Sequence, residues 1–528
     1  MASQNTSRFL DRQFAAWVVA ASGDVLPAEY NDYLMRIAEA VSHATNLKHS
    51  CIDLDKYRGL QDAVLDRLLH PITPAVVKQI ITPANRAADH PQPLKRSADG
   101  KRIWLSKYVG FEQCVAEALL RLDASGRMEI ITGGPGTGKT WTAAKRIQEM
   151  LAHNADCRIR LAAPTGKAAN NMVYALEKAG LSPSQHQLKG LTLHALLGIN
   201  DNNPHPRRHK HNPIVCDFLV VDEASMIDLP MMYRLLDALP AHARLLLLGD
   251  KDQLASVEAG SVLHEICSSP VFANRIHTLT ESRRYRDSPE IGTLATALNR
   301  GVVPDMSLNK NVLRHHLPAE NPWNPPWLDS VVQRFRQWHA TLHHIDPLVA
   351  LAQQKRFQIL CALREGPQGV NGINALLERA LHHTPDAWYV GKPVMITIND
   401  HERKLYNGDI GIVLAIDGTL KVCFQIDGEL KMISPVHLPP YETCYAITVH
   451  KSQGSEYDHI LVVLPADQVD ARNRHHPNPV LTRELVYTAV TRAKQAVDLW
   501  CGEGVLESAA EKTLQRMSGL RILIDEST

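Results

Sequence analysis

This chain has no C-x-x-C pair and no closely spaced cysteines. Its nine cysteines are scattered, and the nearest two, Cys423 and Cys444, lie 21 residues apart. That spacing excludes a zinc ribbon or a disulfide framework and points to buried thiols in a reducing cytoplasm. Charge of one sign is also lacking. Lys and Arg number 57 against 56 Asp and Glu, a formal charge of +1. No global field therefore draws the chain to nucleic acid or anionic lipid, and any such surface must be a local patch. No apolar run approaches the ~18–20 residues of a membrane span. The apolar stretch Phe14 to Ala21 follows Asp11 as well as Arg8 and Arg12, and reads as a partly buried helix rather than a signal peptide. Histidines are plentiful but not arranged for a metal. The pairs His315-His316, His343-His344, His382-His383 and His475-His476 are adjacent, so their side chains diverge. His339 and His343 are one helical turn apart, but Ala340 stands where H-E-x-x-H needs its Glu.

The most informative run present is Gly133-Gly134-Pro135-Gly136-Thr137-Gly138-Lys139-Thr140, which fits G-x-x-x-x-G-K-[ST] between a strand ending at Ile130-Ile131 and a helix from Trp141 to Met150. Glycines let successive backbone N–H groups turn inward around phosphate oxygens, and the helix N-terminus adds partial positive charge. Lys139 suits the β- and γ-phosphates, and the Thr140 hydroxyl suits Mg²⁺. A second run, Leu219-Val220-Val221-Asp222-Glu223, reads as a buried parallel strand with two carboxylates at its carboxyl end. Asp222 is placed to hold Mg²⁺ through water and Glu223 to polarise the attacking water. Together the two runs predict a nucleotide-hydrolysing site, with a chance glycine-rich turn as the alternative.

At 528 residues the chain should hold several domains, since single cores stop growing near 250–300 residues. Residues 1–105 are mostly helical in pattern and are expected to bind a partner. From 106 to 300 short apolar strands alternate with helices, the mark of a parallel sheet wrapped by helices. A basic, Pro-containing segment at about 199–214 looks like a protruding hairpin. A second α/β region spans 301–505, and about 408–440 within it alternates in β fashion with turns at Asp417-Gly418 and Asp427-Gly428, which predicts a small inserted barrel. Residues 506–528 form a C-terminal tail.

Other segments follow strands and carry polar groups suited to nucleotide or nucleic acid. Gln253, after the strand Leu245 to Leu248, reads either as a γ-phosphate sensor or as part of an exposed turn. Thr165 and Lys167 suit a sugar-phosphate backbone, although a plain strand-to-helix loop explains them equally. The stretch Thr448 to Glu456 packs hydroxyl, amide and ammonium groups that suit a backbone grip, or forms a polar loop. Arg284 and Arg492 are either surface ion-pair residues or groups that stabilise charge on a transferring phosphoryl.

Taken in order, GGPGTGKT, RLAAPTGKAA, TLHALLG, VVDEASMIDLPMM, LGDKDQLASVEAGSVL, NGDIG, TVHKSQGSEYDH and TRELVYTAVTRAK resemble the motif series of superfamily 1 helicases of the 5′-to-3′ class. Within that class they are similar to the family of alpha subunits of bacterial exodeoxyribonuclease V. The resemblance spans about 105 to 505 and implies two RecA-like P-loop domains. It implies an ATP- and Mg²⁺-dependent 5′-to-3′ DNA helicase or translocase acting in double-strand break repair and homologous recombination. Such a subunit works at single-stranded and duplex DNA ends, in a heterotrimer with RecB-like and RecC-like subunits, with nuclease activity in a partner.

On that resemblance Gln113 reads the adenine edge and Glu456 meets the ribose. Gln253 couples the γ-phosphate to motion, Arg284 and Arg492 are arginine fingers, and Glu223 is the general base. Thr165, Lys167, Thr192, His194, Thr448, His450 and Ser452 line the single-strand channel. Arg207, Arg208 and Lys210 tip a strand-separating hairpin, or else form a solvated loop. Trp141 departs from the family pattern, which has a small hydroxyl residue there. Only 112 residues precede Gln113, which favours the complex subunit over the longer stand-alone helicases of the class. A stand-alone 5′-to-3′ DNA helicase and a structural subunit with a vestigial ATP site are the remaining alternatives.

Overall fold

The computed structural model describes the whole chain except residues 1–7, 23–25, 61, 83–91, 183–187, 201–202, 257, 308, 319–322, 343–344, 382–386, 401, 427, 466–467, 470–474, 477 and 527–528. Two parallel sheets dominate it. The first contains β1 (Met128–Gly133), β2 (Ile159–Ala163), β3 (Gly190–Thr192), β4 (Phe218–Val221), β5 (Arg244–Gly249) and β6 (Ile276–Leu279). Their spatial order is β3-β2-β4-β5-β1-β6, and every pairing is parallel. Apolar runs such as Phe218 to Val221 are buried on both faces because helices cover both sides of the sheet. The second sheet contains β7 (Val312–His316), β8 (Phe357–Cys361), β9 (Ala446–Thr448), β10 (Tyr457–Leu464) and β11 (Ala493–Cys501) in the order β7-β11-β10-β8-β9, again parallel throughout. The chain is thus mixed α/β, with two RecA-like parallel sheets of the kind the motifs imply.

Between β8 and β9 the chain leaves the parallel sheet and builds five antiparallel strands. They run from Pro393–Ile396 through Ile410–Ile416, Thr419–Ile426 and Glu429–Ile433 to Tyr441–Thr443. The unit begins earlier than the alternating pattern suggested, because Pro393–Ile396 is buried throughout and shows no alternation. Ile416 faces Thr419 across a two-residue turn in which Asp417 and Gly418 have φ of 49° and 74°, the left-handed pair a tight hairpin needs. The second turn includes Asp427, which lies outside the described residues, as do His343, His344, His382 and His383. His339 is described and packs at a tilt among the rings of Phe335, Tyr389 and Tyr445. Among the described residues no cluster of three metal-ligating side chains occurs, and no helix is long and apolar enough to cross a membrane. Cys114 is exposed and Cys267 half-buried, so the expectation of buried thiols holds for the other seven.

The ends of the chain depart from expectation. The first 105 residues are helical at Phe9–Ser22, Asn31–Asn46, Ala63–Leu69 and Pro74–Ile80 but also carry a three-stranded antiparallel sheet, Cys51–Asp53, Leu94–Arg96 and Arg102–Leu105. Ile37, Leu65 and Trp104 share one hydrophobic cluster with Leu119, Leu219 and Leu247, so this region extends the first α/β core and has no separate core of its own. Residues 506–528 do not form a loose tail. Helices Val505–Glu511 and Leu520–Glu526 flank a segment in which Met517 accepts from the Ser50 and Cys51 amides and donates to His49 Nδ1 at 2.9 Å. Burial, then the neighbouring Arg516, hold His49 down at about 4. Arg516 itself donates to the carbonyls of Ser256, Glu258 and Gly260. Short apolar periodicity cannot signal such a strap, because its partners lie more than 250 residues away.

Glu112, on the helix Ser106–Ala124, joins these ends. It is fully buried and accepts from Ser50 Oγ, Trp104 Nε1 (2.8 Å), Ser518 Oγ (3.0 Å) and the Gly519 amide (3.1 Å). Burial pushes its carboxyl above the usual range, and the four donors oppose that shift. Glu112→Ala strands four buried donors, so the melting temperature should fall by roughly 5–10 °C, measured by thermal denaturation of the full chain. An unchanged midpoint would contradict the joint.

Candidate nucleotide site and nucleic-acid face

Three strand ends converge in the first sheet. β4, β5 and β1 are immediate neighbours, so Asp222, Asp250 and Gly133 emerge side by side at their carboxyl ends, at the crevice where such sheets bind ligands. After Gly133 the chain turns through Gly136 and Gly138, with φ of 75° and 91°, into helix α1 (Lys139–His153). A Cβ at Gly136 would lie 2.4 Å from Arg284 Cβ, and one at Gly133 would lie 2.4 Å from the Leu279 carbonyl. Only glycine fits this close approach of the facing segment. That segment grips the loop through Ser282 Oγ to the Pro135 carbonyl (2.7 Å) and the Arg283 amide to the Gly136 carbonyl (3.0 Å). Thr137 Oγ1 donates to the Gly134 carbonyl (2.8 Å). Lys139 Nζ donates to the carbonyls of Gly133 (2.6 Å) and Gly134 (3.1 Å), so the loop carries its own cation at its mouth. Thr140 is the second residue of α1.

Asp222 accepts from the Glu223 amide (2.8 Å). Burial, then the charge of Glu223, push its carboxyl up to about 7, and Lys139 pulls it down. Glu223 has φ of 51°, a left-handed conformation that non-glycine residues rarely hold without function. A half-buried carboxyl at the end of the strand neighbouring β5, together with the Thr140 hydroxyl at the start of α1, has the donor chemistry for a hard cation that completes its shell with substrate oxygens.

Gln253 is buried and not part of an exposed turn. Its Nε2 donates to Asp250 Oδ2 (3.1 Å), and its Oε1 has no partner. The same Asp250 oxygen accepts from Tyr487 OH (2.9 Å), which reaches across from helix α2 (Arg483–Val490) of the second α/β unit. Two further bonds stitch this seam: the Leu254 amide to Thr488 Oγ1 (2.8 Å), and Gln453 Nε2 to the Leu254 carbonyl (2.9 Å). Arg284 also crosses, donating to the Thr491 carbonyl (3.1 Å) and pairing with Glu456, which Lys494 approaches at 3.3 Å. Burial would raise the Glu456 carboxyl, but Arg284 and Lys494 hold it below the usual range. Glu456 is therefore engaged by two cations, and the structure does not present it free for a sugar. Arg492 is buried and donates to the Thr488 carbonyl (3.0 Å), so its guanidinium caps its own helix and does not cross the seam. Gln113 is half-buried on the helix Ser106–Ala124, next to the buried Glu112.

The residues expected to line a strand channel divide by geometry. Thr165, two residues past β2, and Thr192, the last residue of the adjacent β3, cap the following helices, accepting from the Ala168 (3.2 Å) and Ala195 (3.0 Å) amides. Thr448 ends β9 and accepts from the Lys451 amide (3.2 Å). Lys167 spans the two units, donating to Ser455 Oγ (2.6 Å), while Asn171 donates to the Gly454 carbonyl (3.2 Å). Burial, then Lys355, lower Lys167 to about 8. His194 is exposed, and burial lowers the His450 imidazole. Ser452 contradicts its expected place: it is fully buried, and its hydroxyl donates to the Val449 carbonyl (2.6 Å), shaping the turn.

Among the described residues the basic segment is largely exposed and forms no strand ladder, only the isolated bridges Asn200–Asn203 and His209–Asn212, because asparagine side chains satisfy the backbone in successive tight turns. The Lys210 amide donates to Asp237 (3.1 Å), and Arg208 is spent on Asn212 and the Pro213 carbonyl. Arg207 and Lys210 remain exposed. Residues 201 and 202 lie outside the described residues.

Residues 116–259 match the model of an AAA domain, and residues 443–499 match that of a UvrD-like helicase C-terminal domain. The RecBCD enzyme subunit RecD of Haemophilus influenzae is 38% identical over 75% of this chain and 70% of its own length. That of Mycolicibacterium smegmatis is 39% identical over 78% of this chain and 75% of its own. The ATP-dependent RecD2 DNA helicase of Deinococcus radiodurans is 31% identical over 70% of this chain but 46% of its own length. The chain belongs to the RecD family of DNA helicase subunits.

For a RecD-family chain the residue that sequence reasoning passed over is Tyr487. It stands within the run TRELVYTAVTRAK, where its residue type alone signals no role. One signal was available: Tyr487 lies a helical turn before Thr491-Arg492, on the face that meets the first domain. Tyr487→Phe removes the interdomain hydrogen bond while keeping the ring, so stimulation of ATP turnover by single-stranded DNA should drop several-fold. Turnover assays with and without DNA measure it, and full stimulation in the variant would refute the coupling.

Proposed function

We propose that this chain hydrolyses ATP in the cleft between residues 106–300 and 301–505 and moves 5′ to 3′ along single-stranded DNA. The reading is supported above all by the convergence of Gly133, Asp222 and Asp250 on adjacent strand ends, with Tyr487 and Arg284 bridging to the other unit. Lys139 holds the β- and γ-phosphates once it leaves the two loop carbonyls, and the Gly133–Thr140 amides cradle them. Thr140 and Asp222 would hold Mg²⁺, which when bound neutralises charge developing on those phosphates. Glu223 takes a proton from the attacking water. Gln253 meets the γ-phosphate with its unpartnered Oε1 through that water, Arg284 exchanges Glu456 for phosphate oxygen, and Arg492 follows when its helix shifts. Gln113 reads the base edge.

Alternating grip on the strand falls to Thr165, Lys167, Thr192 and His194 on one side and Thr448 and His450 on the other. Cleft closure shifts these two sets by one step per cycle. The antiparallel unit at 393–443 is the small inserted barrel. In the family's setting the chain is the alpha subunit beside RecB-like and RecC-like subunits, with residues 1–105 meeting a partner. It acts at DNA ends in break repair and recombination, and nuclease activity resides in a partner.

Lys139→Ala should abolish DNA-stimulated ATPase activity. Glu223→Gln should bind ATP and lose turnover, because it removes the base and spares Asp222. Colorimetric phosphate release decides both, and equal turnover in wild type and Lys139→Ala would end this reading. The compact basic turn is the strand-separating element, acting through Arg207 and Lys210. Replacing both with Ala should lower duplex unwinding while single-strand ATPase activity stays near wild type, since neither touches the nucleotide cleft. Unwinding at the wild-type rate in the full complex would remove that role.

A further inference from the structure

A cleft of about 630 Å³ opens behind Arg284, lined by Arg284, Asp287, Ser288, Asn311, Lys494 and Gln495. Every one of these side chains is polar. Arg284 borders two spaces at once, because its Cβ lies against Gly136 of the phosphate loop while it also lines this cleft. Lys494, the second residue of β11, has Nζ 3.3 Å from Glu456 Oε2, and Arg284 holds the other oxygen of that carboxylate. One carboxylate thus links the cation that abuts the loop to the cation beyond it. Ser288 precedes the helix Pro289–Asn299, yet its hydroxyl donates to the Gln495 carbonyl (3.2 Å) and no side chain caps the helix. The amides of the first turn therefore keep their partial positive charge. Asp287 has the opposite sign: it is exposed and has no ion-pair partner among the described residues. On the other side of the loop the seam is shut by the buried Tyr487–Asp250, Leu254–Thr488 and Gln453–Leu254 bonds.

We infer that this cleft is the exit route for inorganic phosphate, the product of hydrolysis, which passes from Arg284 to Lys494 and leaves past Asp287. The inference rests on the ATP-hydrolysing reading of the Gly133–Thr140 loop. While the diphosphate product still fills that loop, an anion beside Arg284 finds the seam closed on one side and this cleft open on the other. Orthophosphate needs cations and N–H donors and no apolar wall, which is what the cleft offers. No aromatic ring lines it, so it has nothing on which to stack a base. Two carboxylates supply the means of letting go. Glu456 competes for the same two cations, and its return to them displaces the phosphate. Asp287 repels a like charge beyond them, so the cleft passes an anion and does not store it. Lys494 is 45% exposed, and partly solvated pairs of this kind are weak enough to exchange.

Single-turnover mixing of the full chain with ATP, Mg²⁺ and single-stranded DNA separates the steps. Acid quenching reports cleavage whether or not phosphate has left, and a fluorescent phosphate-binding protein reports only what has been released. Gln495→Trp narrows the cleft from an exposed position and alters no group of the nucleotide site, so cleavage should keep its wild-type rate while release lags it several-fold. Lys494→Ala removes one charge-assisted contact from the route and should slow release about tenfold, more than it slows cleavage. Lys494→Arg should restore release. Release that keeps pace with cleavage in both Gln495→Trp and Lys494→Ala, or a slowing of cleavage equal to that of release, overturns the exit route. Cleavage at the wild-type rate in Lys139→Ala would instead overturn the reading on which the route rests.

Discussion

The carboxyl of Asp250 is the point on which the two α/β units depend. It sits buried at the end of β5, beside the strand that leads into the phosphate loop, and one of its oxygens serves Gln253 from its own domain and Tyr487 from the other. Burial pushes this carboxyl above its ordinary range, and Lys139 is the first of the charges that oppose the shift. A change of charge at the loop is therefore felt at a group whose hydrogen bonds span the seam. The low dielectric around it makes each of those bonds costly to leave unmade. The close fit of Gly134 deepens the link, because a Cβ there would lie 3.0 Å from the Tyr487 hydroxyl. Phosphate loop, β5 and helix α2, which ends just before Arg492, are thus in contact through a single tyrosine.

A second constraint acts from outside the cleft. The chain enters through helices that share the first domain's core, passes through the second domain, and returns to the first through Arg516 to Gly519. The second domain is tethered at both its beginning and its end to the same body. Sliding of one domain past the other would strain the Glu112 and Arg516 contacts together. A motor that converts cleft closure into directed movement needs this restriction.

Much of the nucleotide site was legible in the sequence, because it is local. The loop Gly133–Thr140, the strand ending in Asp222-Glu223 and the strand ending before Asp250 each lie within a few residues of the apolar run that places them, and their boundaries agree with the structure to within a residue or two. What sequence could not give is what long-range packing decides. Ser452 reads as one more polar residue in a polar loop, yet the turn after β9 folds it inward. Arg492 and Glu456 carry the right chemistry, but their partners in this structure are a helix carbonyl and two neighbouring cations. The C-terminal strap was illegible because the groups that Arg516 to Gly519 meet lie more than 250 residues away in the sequence. The three-stranded sheet near the N-terminus was missed because three- and four-residue strands are shorter than any periodic signal.

The contacts along the seam differ in how easily they exchange, and that difference orders them in a cycle. The Arg284–Glu456 pair is partly open to water, Glu456 being 40% exposed. Exposed ion pairs of this kind contribute about 0–1 kcal/mol. A phosphoryl group offering several charged oxygens in the cleft competes well against one such carboxylate, so Arg284 is set to change partner when nucleotide arrives. The two carbonyls now holding Lys139 are weaker competitors still, being neutral. The Tyr487–Asp250 and Thr488–Leu254 bonds are buried, and breaking either without replacement costs roughly 1–3 kcal/mol. They persist while the outer contacts exchange. On the proposed reading, nucleotide binding would rearrange the rim of the seam around a fixed centre, and that asymmetry would turn a local change of charge into rotation of one domain against the other.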